Sequence, residues 1–313
     1  MRRAHRTCPT WSCQLWIVST VCLGNPGHSQ EETLDIFDGE TLYQNGWLLT
    51  LSTRLERREQ LLEGDSSVKD PLHRRQTDYT AAAAAHYGLR YDLQLSAIVP
   101  FVHRVLDQKD PAGQNHSSAG GPGDVVTLVK WRFYRWDAPG EALNLAAIVG
   151  LEWPSGSDDE RDGGVRLSPE LQPGSGSWDP MAGLAATYEP RRWRFNAFGL
   201  YKHNTENGHD HRFGDELFTE VAVGNRFWLE PYPGPFMRAD ALVRYRNEQR
   251  ARQDGMRVRD SGGDLVTVGL SWAFRPRPSL DLQLSVEVPV YERVNGAQVG
   301  REFSVSFALG YRF

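Results

Sequence analysis

Over the last eleven positions of the chain, every second residue is large and apolar. Phe303, Val305, Phe307, Leu309, Tyr311 and Phe313 alternate with Ser304, Ser306, Ala308, Gly310 and Arg312. A two-residue period of this kind predicts a β-strand with one apolar face. The same period runs through 89–101, with Leu89, Tyr91, Leu93, Leu95, Ala97, Val99 and Phe101 in phase, and through 280–290, with Leu280, Leu282, Leu284, Val286, Val288 and Val290. These two stretches share Asp-Leu-Gln-Leu-Ser (92–96 and 281–285) followed by Pro100 and Pro289. Weaker strands are predicted at 46–56, 77–87, 124–134, 142–153, 178–188, 193–202, 216–228, 236–246 and 264–274. With 301–313 they make about twelve.

The connections fall into two kinds. Gly88, 137–140, 189–192, 231–235 and 275–278 are tight and mostly Pro-rich; 57–76, 103–123, 155–177, 203–215, 247–263 and 292–300 are longer and polar. A soluble sandwich has no reason to sort its loops in this way. A membrane barrel does, with short periplasmic turns and long outer loops. The pattern therefore predicts an all-β fold: an antiparallel up-and-down transmembrane β-barrel of about 12 strands over 46–313, preceded by a periplasmic tail at 30–45. Closure follows from chemistry, because hydrocarbon offers no partner to an unpaired backbone N–H or C=O. Trp47, Trp131, Trp136, Trp153, Trp178, Trp193, Trp228 and Trp272 lie near predicted strand ends, as aromatic girdles at two lipid–water boundaries require.

Composition adds little by itself. The chain is 40% hydrophobic with a mean hydropathy of −0.52. It has no run of about 20 apolar residues for a spanning helix, a lack that does not bear on transmembrane strands. The first 29 residues read as an export signal. Arg2, Arg3, His5 and Arg6 precede the apolar stretch 15–23, and Gly27 and Ser29 offer small residues before a cleavage at Gln30. Cys8, Cys13 and Cys22 all lie in this segment, so the mature chain has neither a disulfide framework nor a thiolate metal site. Removing its three arginines from 35 basic and 40 acidic residues leaves a charge of −8, and no basic face marks a nucleic-acid partner.

Several junctions resemble an outer-membrane family, the MetA-pathway phenol-degradation proteins, which is assigned to transport. They are Val99-Pro100-Phe101; Gly121-Pro122-Gly123-Asp124 opening 125–133; Trp153-Pro154-Ser155-Gly156-Ser157-Asp158, where the family tends to have Pro-Thr-Gly-Asp; Gly174-Ser175-Gly176-Ser177-Trp178-Asp179; and the closing Leu309-Gly310-Tyr311-Arg312-Phe313. The resemblance implies a barrel and a transport role. It does not imply phenol as the cargo.

Strand phase supplies the site residues. If the large apolar positions face lipid, then His86, Lys130, Arg132, Asn144, Glu152, Arg194, Lys202, Glu220, Arg226, Arg238, Asp240 and Arg244 line the lumen, as do Asn196 and Arg246. An Arg or Lys facing mid-bilayer would cost roughly 2–4 kcal/mol. The expected function is a channel or transporter for small solutes, aromatic or hydrophobic ones among them, in the bacterial outer membrane. The alternative is a non-conducting structural or surface-binding barrel, with a barrel hydrolase behind it. Expected partners are outer-membrane lipid, the solute, and the barrel-assembly machinery, for which Tyr311 and Phe313 form the assembly signal; no cofactor is called for. Asn115-His116-Ser117-Ser118 reads as surface loop rather than a nucleophile–base pair. His203, His209 and His211 with Asp210 read as a solvated loop rather than a metal site.

Overall fold

The computed structural model describes residues 37–110, 113–162 and 164–313; the export signal expected at 1–29 lies outside them. Twelve long strands form one antiparallel sheet: β1 (Trp47–Glu63), β2 (Arg75–Arg90), β3 (Leu93–Asp110), β4 (Val125–Ala138), β5 (Glu141–Trp153), β6 (Asp179–Pro190), β7 (Trp193–Lys202), β8 (Glu216–Leu229), β9 (Phe236–Glu248), β10 (Gly263–Arg277), β11 (Leu280–Val294) and β12 (Ala297–Arg312). Each pairs with its neighbours in sequence. β12 then pairs with β1, from Leu48 opposite Arg312 to Leu55 opposite Val305 and beyond, so the sheet closes and leaves no edge.

Parity decides which solvent each side chain meets. Leu51, Leu184 and Val221 point outward and are 61%, 62% and 58% exposed, a cost that only a lipid neighbour removes. The tryptophans among the described residues all face outward as well. Some form interfacial pairs, such as Trp47 with Tyr87 (ring centroids 4.8 Å apart) at the short-turn end and Trp153 with Trp178 (5.0 Å) at the long-loop end. On β1 the outer face changes above Leu55 to Arg57 and Glu59, joined at 3.2 Å, with Glu59 also bound by Arg75 at 2.6 Å. Charged side chains on the outer wall mark where the strand leaves the bilayer.

All six expected long loops are partly strand, and the one at 292–300 is reduced to Asn295 and Gly296. β1 continues to Glu63, and β3 runs on to Asp110, where Gly113–Pro122 returns along it from Asp110 opposite Gly113 to Phe101 opposite Pro122. Above the membrane both faces of a hairpin are wet, so apolar alternation is not required and the sequence carries no such signal. Inside the barrel an apolar layer at mid-height includes Ile98, Leu128, Ile148, Phe198, Leu200 and Phe218 on β3–β8. The opposite wall is hydroxylic: Ser271, Ser285 and Ser306 form one row across β10, β11 and β12, with Ser52 and Ser304 close by.

Candidate functional site in the barrel lumen

All fourteen residues assigned to the lumen by phase are buried inside the barrel. They gather at two levels, below and above the apolar layer. Tyr311 and Phe313 are exposed on the outer wall.

The lower level, at the short-turn end, is organised by the chain before β1. Phe37, Asp38, Glu40, Thr41 and Leu42 are buried within the lumen. Asp38 bridges Lys130 (2.7 Å) and Arg194 (3.1 Å). The Gly39 amide donates to Thr187 Oγ1 at 2.9 Å, and Thr41 Oγ1 donates to the Tyr91 carbonyl at 2.8 Å. The Leu42 amide donates to Gln94 Oε1 at 3.0 Å. Phe37 stacks on Phe198 at 5.0 Å and so joins the apolar layer. Gly39 runs flush against β5, and any Cβ there would overlap the Asn144 carbonyl. Around this segment Arg226 binds Glu189 (2.6 Å), Arg238 binds Asp240 (2.8 Å), and Arg132 donates to Asn144 Oδ1 (3.4 Å) and to the Tyr91 carbonyl (2.5 Å). His86 Nδ1 lies 2.8 Å from Ser96 Oγ.

The upper level holds two runs of ion pairs, one around Lys202 and Glu216 and one from Glu220 through Arg54 to Glu56. Lys202 joins Glu152 (3.4 Å) and Glu216 (3.0 Å), and Glu216 takes Arg246 at 3.2 Å. Arg244 joins Glu220 (2.6 Å) to Glu287 (2.9 Å), and Glu287 leads to Arg54 at 3.8 Å. Glu56 then holds Arg58 (2.6 Å) and Arg301 (2.7 Å). Arg104 reaches from β3 to the carbonyls of Glu170 and Gln172 in the 155–177 loop. Most carboxylates here face at least one guanidinium or ammonium, as burial of charge demands.

Sequence phase could have found several partners that were not singled out. Outward Leu49 and Leu51 imply inward Arg54, Glu56 and Arg58, and outward Val286 and Val288 imply inward Glu287. Arg301 is different. The β1–β12 register shifts around Arg58, and the irregularity turns Arg301 inward against the phase of 303–313. The segment at 37–42 carries no periodicity that would place it in the lumen.

The loop histidines have separate partners, as solvated loops allow. His116 Nδ1 lies 2.8 Å from Asp107 Oδ1 on the exposed hairpin of 113–122. His203 faces Asp215 (3.1 Å), His209 faces Asp158 (3.5 Å), and His211 meets Gln253 (3.0 Å).

A solved outer-membrane channel from Pseudomonas putida F1 shares this fold. It superposes with a TM-score of 0.67 at 14% identity, over 90% of this chain and 100% of that one. The β domain of the Bordetella autotransporter BrkA gives 0.46 at 11% identity, over 86% and 100% of the two chains. A Pseudomonas aeruginosa FadL homologue gives 0.39 at 9%, over 85% and 90%. No curated protein matches the sequence significantly. The sequence over residues 73–300 matches the family described as "Putative MetA-pathway of phenol degradation", and with so much of the barrel inside that match the chain belongs to this family.

Proposed function

We propose that this chain is an outer-membrane channel or transporter for small solutes, aromatic and hydrophobic ones among them, closed at rest by its own residues 37–42. The observation that carries this reading is the nature of the stopper. It is a separate, non-barrel segment, held in the lumen by one bridging aspartate, a few hydrogen bonds and one stacked ring. Its withdrawal breaks no barrel strand pairing and uncovers an apolar wall facing a hydroxylic one. An aromatic solute carrying a polar group matches that pair of walls. His86, Lys130, Arg132, Asn144, Glu152, Arg194, Lys202, Glu220, Arg226, Arg238, Asp240 and Arg244 are the proposed lining of the path. Export through a signal cleaved near Gln30 and insertion by the barrel-assembly machinery acting on Tyr311 and Phe313 complete the reading.

Planar-bilayer recording of the mature chain beside Gly39→Val tests it. The valine side chain collides with β5, so the segment is expected to sit less firmly and the variant to conduct more than the parent, with uptake by liposomes rising in parallel. If neither protein conducts and neither admits solute, the alternative of a non-conducting barrel stands. The observation that favours it is the two runs of ion pairs at the upper level, which set paired charge inside the barrel.

A further inference from the structure

Three arginines share one face of a small sheet at the long-loop end. The connection between β7 and β8 contributes the two-residue strand His211–Arg212, and the one between β9 and β10 folds into a hairpin of Arg252–Gln253 with Met256–Arg257. The three pieces pair as one antiparallel sheet. Its register sets Arg212 opposite Arg252, and Arg252 opposite Arg257. Residues directly opposite each other lie on the same face with Cβ atoms about 4.5–5.5 Å apart, and like charges so placed are destabilising. The other row, His211, Gln253 and Met256, includes a buried His211 whose ring packs 4.4 Å from that of Phe213.

All three arginines, together with Arg250, line an open cleft of about 310 Å³. Three carboxylates line it too, and each is already engaged. Asp215 accepts from Arg212 (2.9 Å), Tyr201 (2.9 Å) and the Asn204 amide (3.1 Å). Asp264 accepts from Tyr245 (2.8 Å) and Asn247 (2.9 Å), and Glu248 from Arg246 (3.1 Å). Arg250, Arg252 and Arg257 form no ion pair with any described residue, and Asp254 at the hairpin turn forms none with them. The cleft is shaped in advance. The Gln249 amide donates to the Asp215 carbonyl (2.9 Å), the Asp254 amide to the Asp210 carbonyl (2.9 Å), and Gln253 Nε2 to the His209 carbonyl (3.1 Å). Gly214 lies so close to the Gln249 carbonyl that a Cβ would overlap it.

We infer that this cleft binds a phosphate group, with Arg252 and Arg257 as its ligands, Arg250 lining the same cleft, and Arg212 held beside them by Asp215 and the Asn204 carbonyl (2.7 Å). Guanidinium forks match phosphate oxygens in pairs. A dianion set into the arginine row turns a repulsive arrangement into an attractive one. The phosphate belongs either to a lipid headgroup of the surrounding leaflet or to a free solute arriving at the mouth. The site does not depend on whether the lumen conducts.

The test is calorimetric titration of the folded mature protein in detergent with inorganic phosphate at low salt, since exposed charges are screened as salt rises. Arg252→Glu combined with Arg257→Glu is expected to weaken binding about tenfold or more. Arg277→Glu, on an exposed arginine of a short turn at the opposite end, should leave it unchanged. Retained mobility of unboiled samples on a gel shows that the variants still fold, and Arg250→Gln, outside the sheet, is expected to give a smaller loss of binding. Reconstitution separates the two sources. If bis-phosphorylated lipid A abolishes phosphate binding and its dephosphorylated form does not, the occupant is a headgroup; if both leave it intact, the occupant is a free solute. Equal affinity in the parent and the double variant, or no phosphate bound by the parent, overturns the inference.

Discussion

Glu287 shows what one residue does in this lumen. Its carboxylate lies 2.9 Å from Arg244 and 3.8 Å from Arg54, and Thr267 Oγ1 donates to it at 3.3 Å. It therefore joins the β9 and β1 parts of one run of ion pairs. Removing one partner of a buried pair strands the other charge, so Glu287→Gln should lower the unfolding free energy by about 3–5 kcal/mol in urea titrations of vesicle-inserted protein. Glu302→Gln, on the exposed rim beside Arg57 (3.5 Å), should change it by less than about 1 kcal/mol. An unmoved midpoint for Glu287→Gln would mean that its arginines are satisfied elsewhere. The burial of Glu287, like that of the fourteen residues named from phase, was legible in the alternation of its strand. Which cation each acid meets was not, since partners across the lumen come from strands far apart in sequence.

Among the elements, the segment at 37–42 is the stopper of the proposed channel, and Glu40 should give its docking a pH dependence. Burial, followed by repulsion from Glu189, pushes the Glu40 pKa up from 4.5 to about 8. The docked segment thus holds this proton more tightly than the free one. Docking is fully favoured below about 4.5, and that contribution is lost as pH rises through about 8. Channel opening should accordingly increase over that interval, and Glu40→Gln should flatten the profile; an unaltered slope in the variant would assign the dependence to another group. Element prediction itself succeeded where lipid imposes a period. It missed the hairpin of 113–122, because a strand pair rising into water needs backbone pairing alone, and Gly, Ser and His can supply that.

As a whole molecule the barrel is defined by what surrounds it. Leu49, Leu51, Val149, Leu184, Val221, Val243, Leu270 and Val290 are all exposed on its outer wall. The purified mature chain should stay dispersed only with detergent. Unboiled, it should migrate on a gel as a compact form that slows on boiling, because closure leaves no edge from which the sheet can unzip. Free solubility without detergent, or identical migration in both states, would remove the membrane reading. The two-residue period and the alternating loop lengths were enough to establish twelve strands, their phase and a closed antiparallel sheet, because each follows from local alternation against two solvents. Three things needed the folded chain: the segment at 37–42 inside the lumen, the inward turn of Arg301 at the bulge, and the arginine row shared by two outer loops. Each depends on contacts between residues distant in sequence, and no local period encodes which distant residues will meet.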